Sequence, residues 1–193
     1  MVNYVFAKNN PGPDACRLNA LQAVEDSFEL LRGISRAKAF PEDAYFRMSE
    51  NFPERLLLED FLSNPNGVLV ISGRAREVLE ARVEDEAEFL PVKIINHKGR
   101  EEATHYFIAN VINFQDCIDE SASRVRVNKI NPARFSSIRK LVVDENRLVG
   151  DPQIFRLKQY PPLALFHRRV AQAVSDESLT GVLFGETEEW RGK

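Results

Sequence analysis

Between Ile154 and Phe184 lies the most clearly patterned stretch of the chain. It runs Ile154-Phe155-Arg156-Leu157 and then, from Pro161, PPLALFHRRVAQAVSDESLTGVLF. The order is strand, loop, helix, strand, closing on Leu179-Thr180-Gly181-Val182-Leu183-Phe184. That order belongs to an α+β fold: mostly antiparallel sheet, with about three helices packed on it. Nothing in the stretch is chemical. It holds no nucleophile beside a base, no metal-ligand spacing and no glycine-rich phosphate loop.

The 193 residues suit one compact unit, read as an N-terminal strand and helix elaboration over 1–43 and an α+β domain over 44–193. A net charge of −3 argues against a dedicated nucleic-acid binder, whose footprint is strongly basic. The charge is unevenly spread, however. Glu84, Asp85, Glu86 and Glu88 are grouped, whereas the stretch holding Arg124, Arg126, Lys129, Arg134, Arg139 and Lys140 contains no acid. Cys16 and Cys117 are far apart without CxxC spacing; a single disulfide between them is conceivable, but two lone thiols in a reducing compartment is the simpler reading. Met1 to Ala7 has no basic region followed by an apolar run, and no apolar stretch approaches the roughly 20 residues that span a bilayer. These features point to the cytoplasm and away from a membrane.

Local signals place most elements. Tyr4 to Ala7 is a strand ended by Asn9-Asn10-Pro11-Gly12-Pro13. Asn19 with Gln22 forms a capping box, and Leu21, Val24, Phe28 and Leu31 follow at helical spacing up to Gly33. Ala44 to Met48 is a short strand, and Leu56 to Leu62 an apolar piece of open type. Val68 to Ile71 is a buried strand leading into Ser72, the N-cap of a helix to about Arg82. Phe89 to Asn96 and Thr104 to Phe114 flank Lys98-Gly99-Arg100 and pair as a hairpin. Arg124 to Asn128 alternates as a half-exposed strand with its basic face in water. Leu141 to Val143 and Arg147 to Val149 form a second hairpin, and Gln153 to Lys158 alternates, Phe155 and Leu157 opposite Ile154, Arg156 and Lys158. The last helix spans about His167 to Ser175.

Candidate chemistry is thin. His97 and His105 bracket the central turn and, with Asp116 and Asp119, could serve a metal-assisted hydrolase. Their spacing is far looser than an HExxH motif, and an Asp-x-x-Asp-x-Ser run ending at Ser121 is what turns select. The basic run from Arg124 to Lys140 could serve a regulatory nucleic-acid module, yet it lacks interleaved aromatics, so a solvated strand face is the simpler reading.

Taken in order, several pieces carry a resemblance: Glu59-Asp60-Phe61, Val68 to Ser72 with its helix, Glu88-Phe89-Leu90-Pro91-Val92, Asp116 to Ser121, Ile154 to Leu157 and Leu179 to Phe184. From about Ala44 to Phe184 the chain resembles immunity family eleven of bacterial polymorphic toxin systems, formerly a domain of unknown function. The resemblance implies a protein that binds and neutralises a cognate toxin domain, without catalysis, metal or other cofactor, and without nucleic acid. It makes Asp60, Phe61, Phe89, Pro91, Asp116, Asp119, Ser121, Phe155, Arg156, Gly181 and Phe184 framework positions. The toxin-binding face is expected on exposed elements: Glu84, Asp85, Glu86 and Glu88, the turn at His97 and Lys98, and the tail with Glu186, Glu188 and Trp190.

Overall fold

A computed structural model describes residues 2–102 and 105–191, so Met1 and Thr104, named above, lie outside the described residues. The strands are β1 (Tyr4–Asn10), β2 (Tyr45–Arg47), β3 (Phe61–Leu62), β4 (Leu69–Ser72), β5 (Ala87–Ile95), β6 (Tyr106–Val111), β7 (Phe114–Gln115), β8 (Arg124–Val127), β9 (Phe135–Lys140), β10 (Ile154–Leu157), β11 (Tyr160–His167) and β12 (Gly181–Glu186). Two α-helices, α1 (Gly73–Val83) and α2 (Arg168–Asp176), join them, with a six-residue 3-10 helix at Ser27–Arg32. The α+β class therefore stands. One five-stranded sheet has the order β12-β1-β11-β10-β7 and the other β2-β5-β6-β4-β3, with β8 and β9 forming a separate ribbon. Among the strand pairs of the described residues, only β10–β7 and β2–β5 are parallel. Among the described residues no helix is long and apolar enough to cross a membrane.

Three buried clusters explain the layering. Helices α1 and α2 bury Ala75, Leu79, Val170 and Val174 against Ile71 and Val111 of one sheet and Val5 and Phe166 of the other. The reverse face of the second sheet, Val70, Leu90, Val92 and Ile108, is covered by Cys16, Leu18, Leu21 and Leu30 from the N-terminal segment. The reverse face of the first sheet, Tyr4, Phe6, Phe155 and Leu165, is covered by Phe135 and Ile138 of the ribbon and by Cys117, Ile118, Leu141 and Val143 beside it. Segment 1–43 thus supplies β1, between β12 and β11, and one wall of a core.

Where the cause of structure is local, expectation and structure agree. The Ser72 hydroxyl accepts from Ala75 N at 3.1 Å and starts α1. Nδ1 of His167 accepts from Arg169 N at 3.0 Å and starts α2. Leu90, Val92 and Ile94 alternate with exposed Pro91 and Lys93 along β5, which pairs with β6 as the expected hairpin.

Three expectations are corrected. The helix from Asn19 does not form; only Ser27–Arg32 turns, as a 3-10 helix ending at Gly33 with φ 62°. Leu21 N is bound by Asn66 Oδ1 at 2.8 Å and Gln22 N by Tyr45 O at 2.9 Å, so long-range partners hold the backbone beside β2 and override the helical spacing. The second hairpin is also absent. Val143 bridges to Ile118 instead, and Asp144 caps a 3-10 turn at Glu145–Arg147. The loop expected before α2 is mostly strand, since β11 runs through Pro161 and Pro162.

The alternation in β10 is deceptive as well, for all four of its residues are buried. Arg156 is 3% exposed and has no carboxylate partner among the described residues. Its guanidinium donates to Val111 O at 2.9 Å, Pro161 O at 2.7 Å and Leu30 O at 3.0 Å. Burial lowers its pKa to about 10, so it remains charged at neutral pH. Arg156→Met keeps the bulk but strands three carbonyls, and is expected to cost about 3 kcal/mol, or roughly 6–12 °C in Tm. Arg156→Lys should recover little, because a point-like ammonium cannot span three acceptors. Thermal unfolding of both variants checks this; a Tm unchanged in Arg156→Met would count against the clamp.

Candidate functional site

Three of the framework candidates, Asp60, Phe61 and Gly181, meet at a clasp between the sheets. Oδ1 of Asp60 accepts from Ser72 Oγ at 2.7 Å, and Oδ2 accepts from Thr180 N at 2.9 Å and Thr180 Oγ1 at 3.2 Å. Phe61 N donates to Thr180 O at 3.0 Å, which joins β3 to the start of β12. Gly181 follows with φ 86°, and a Cβ there would lie 2.1 Å from Phe61 O. Only glycine fits both the torsion and the approach. Gly181→Ala is expected to destabilise by roughly 2 kcal/mol or more, read as a lower urea midpoint with an unchanged m-value.

The other framework residues take varied places. Phe155 is fully buried and stacks edge-on against Tyr4 with ring centroids 5.0 Å apart. Phe184 packs edge-on against Phe166 at 5.4 Å. Phe89 is half-buried, whereas Pro91 is exposed. Oδ1 of Asp119 accepts from Ser121 N at 2.9 Å, Ser121 Oγ at 2.6 Å and Ala122 N at 3.1 Å, a closed turn. Asp116 is engaged elsewhere, accepting from Arg147 and from Gln159 Nε2, each at 2.6 Å.

The candidate partner-binding acids are not equivalent. Glu84 and Asp85 are exposed at the end of α1. Glu86 turns inward and accepts from Gln153 N and Ile154 N, each at 2.8 Å, and from Asn113 at 3.1 Å. Burial dominates there and raises its pKa above the usual carboxylate value. Glu88 is also engaged, accepting from the Ser35 hydroxyl, from Arg36 N at 2.9 Å and from Asn110 at 3.1 Å. Burial pushes its pKa up, but these hydrogen bonds together outweigh burial and hold it below the usual carboxylate range.

His97 and Lys98 occupy the turn beyond the far end of β5, which rises about 26 Å from Ala87, next to Glu86, to Ile95. His97 is half-buried and Lys98 exposed. In the tail, Glu186 forms a two-pronged pair with Arg168, whose hydrogen bond lowers the Glu186 pKa. Glu188 is exposed, and Trp190 packs edge-on against Phe6 at 5.0 Å. The nine candidates therefore do not make one patch.

A groove that sequence inspection missed lies beside the ribbon. It has a volume of about 640 Å³ and is walled by the 3-10 helix at Ser27–Arg32 and the loop between β8 and β9. Phe28, Leu31, Phe135 and Pro162 give it apolar surface, while Arg32 and Arg134 give it cationic groups. The basic run was visible in the sequence. Phe28 was not, because helical spacing assigned it to a buried face and it is 50% exposed.

Among the described residues, no three His, Cys, Asp or Glu side chains converge as a metal site. Cys16 and Cys117 are free and buried in different clusters, and burial pushes each thiol up to about 12. The fold thus presents a clasped framework carrying charged surface elements. The chain belongs to the immunity protein family Imm11, whose family model matches residues 1–189. The match takes in the first 43 residues, which the resemblance from Ala44 left out. No curated protein matches the chain.

The opposed environments of Glu86 and Glu88 give a pH test. The Glu88 pKa is depressed, so its stabilisation is present at pH values above the ordinary glutamate range and is lost as pH falls through the folded-state value. Glu88→Gln should therefore destabilise by about 1 kcal/mol at pH 7, allowing for solvent screening. The difference from the parent protein should shrink toward pH 3, as read by denaturant titration at both pH values.

Proposed function

We propose that this protein is the immunity partner of a bacterial toxin domain, which it binds and neutralises by stoichiometric, non-covalent association in the cytoplasm. Family membership over residues 1–189 is the observation that carries this reading. The arrangement of the side chains supports it. Asp116 and Asp119 are each satisfied by separate structural partners, and Arg156 and Asp60 hold strands in place. Binding requires only a rigid surface of matching shape and charge.

Steric cover of the toxin is favoured over mimicry of a polyanionic substrate. Of the acidic group after α1, Glu86 and Glu88 bond within the fold, which leaves Glu84 and Asp85 free. Two carboxylates make a weak imitation of a phosphate backbone, with one charge per about 1.7 Å of duplex.

Co-expression with the toxin domain encoded beside this chain provides the test. Restored growth and a complex of one copy each on co-purification are expected. If cells die equally fast with and without the protein, and the two do not co-purify, the reading fails.

A further inference from the structure

We propose that the β8–β9 ribbon and the groove beside it form the surface that receives the toxin, and that the segment received is acidic with an apolar side chain at its centre. This rests on the toxin-binding reading above and adds to it where contact occurs and what chemistry is recognised.

Charge is the first observation. Arg124, Arg126, Lys129, Arg134, Arg139 and Lys140 fall in one ribbon without a single carboxylate in the same stretch. Among the described residues none of the six forms an ion pair. Several cations elsewhere do, as in Arg36–Glu29, Arg76–Glu80, Arg147–Asp116 and Arg168–Glu186. Others, such as Arg17, Arg47 and Lys98, are also outside any ion pair among the described residues, but they are scattered. The ribbon gathers its six in a stretch without an acid, in a chain whose net charge is −3. A complementary partner is acidic, and such pairing raises the rate of encounter and fixes its register.

The second observation is an apolar tip held rigidly in water. Ile130 is 96% exposed and Val127 49% exposed. The tip is not loose. Asn128 Oδ1 accepts from Ile130 N at 2.9 Å and Asn131 N at 3.0 Å, Asn131 Oδ1 accepts from Ala133 N at 3.1 Å, and Asn128 N donates to Arg134 O at 2.9 Å. Behind it, Phe135 and Ile138 anchor the ribbon in the core. An isoleucine fixed in this way loses little freedom on binding.

The groove is the third. Its 640 Å³ can take a few side chains, with Phe28 and Pro162 offering apolar contact and Arg32 and Arg134 meeting carboxylates. A protein segment suits this surface better than a nucleic acid. Base stacking needs open aromatic faces, yet Phe135 is 7% exposed and the Phe28 ring carries the Arg32 guanidinium 4.8 Å from its centre.

The test uses the full-length protein and the toxin domain encoded beside it. Arg126→Glu with Arg134→Glu, and Ile130→Asp alone, change side chains that make no hydrogen bond among the described residues, so Tm should stay close to the parent value. The double reversal is expected to weaken binding roughly 100-fold, mostly through a slower, less salt-dependent association. Ile130→Asp is expected to weaken it roughly 10-fold, mostly through faster dissociation. Glu84→Lys with Asp85→Lys should stay within about threefold of the parent, since those acids lie outside the proposed contact. Should the reversal lower Tm, Arg126→Gln with Arg134→Gln repeats the measurement, with a loss of roughly 10-fold expected.

Parent protein that binds, with groove and tip variants equal to it, overturns the surface assignment and leaves the toxin-binding reading standing. So does loss of binding in the Glu84 and Asp85 pair alone. Parent protein that fails to bind the toxin domain overturns both. A single-stranded DNA oligonucleotide serves as the other arm: salt-sensitive binding by the parent that the double reversal abolishes would assign the ribbon to nucleic acid instead.

Discussion

The guanidinium of Arg156 is the interaction on which the rest of the structure turns. It sits where the two sheets meet and gathers carbonyls from Leu30, Val111 and Pro161. Those acceptors belong to the N-terminal 3-10 helix, the end of β6 and the start of β11. No pair of hydrophobic side chains could specify so exact a meeting, because apolar contact is non-directional and tolerates sliding. A buried fork of donors fixes direction as well as distance. The other end of β10 is held by the opposite charge, since the Glu86 carboxylate accepts from Gln153 N and Ile154 N. One short strand is therefore pinned by a cation at its centre and an anion at its start, each bonded to backbone.

How much of this could be read in advance depended on where the partners lay. Ser72 and His167 announce their helices because each caps a backbone N–H two or three residues on. The β5–β6 hairpin is announced by alternation and a polar turn. Asn19 to Leu31 carried equally good local signals and yet does not form an α-helix, since its N–H groups find Asn66 and Tyr45 from elsewhere in the chain. Glu86 and Glu88 looked like solvated acids for the same reason: their donors are distant in sequence. Arg156 stood in an alternating strand where water was the natural expectation. Gly181 and Asp60 were legible as framework through the family resemblance, but the clasp that requires them became visible only with β3 and β12 side by side.

The division of labour among charges is the feature most relevant to function. Arg156, Arg168, Glu86, Glu88 and Asp60 are tied into the fold, and their replacement would be felt as instability. The ribbon cations have no such ties among the described residues, and an untied charge is free to be selected for a partner. On the proposed toxin contact, stability and recognition would fall to different residues. A surface built this way can change its partner without dismantling the scaffold.

The position of β1 has a consequence for when the protein can act. Its residues are made well before those of β11 and β12, between which they lie. At about 5–20 residues per second, the first strand waits on the order of 10 s or more for its neighbours. Pairing across nearly the whole chain is also slow compared with local contacts. Until β12 has been made there is no closed first sheet and no complete base on which Phe135 and Ile138 can seat the ribbon. On the proposed toxin-binding reading, protection would come from finished copies held in advance, since a chain without β12 lacks part of the sheet beneath the ribbon.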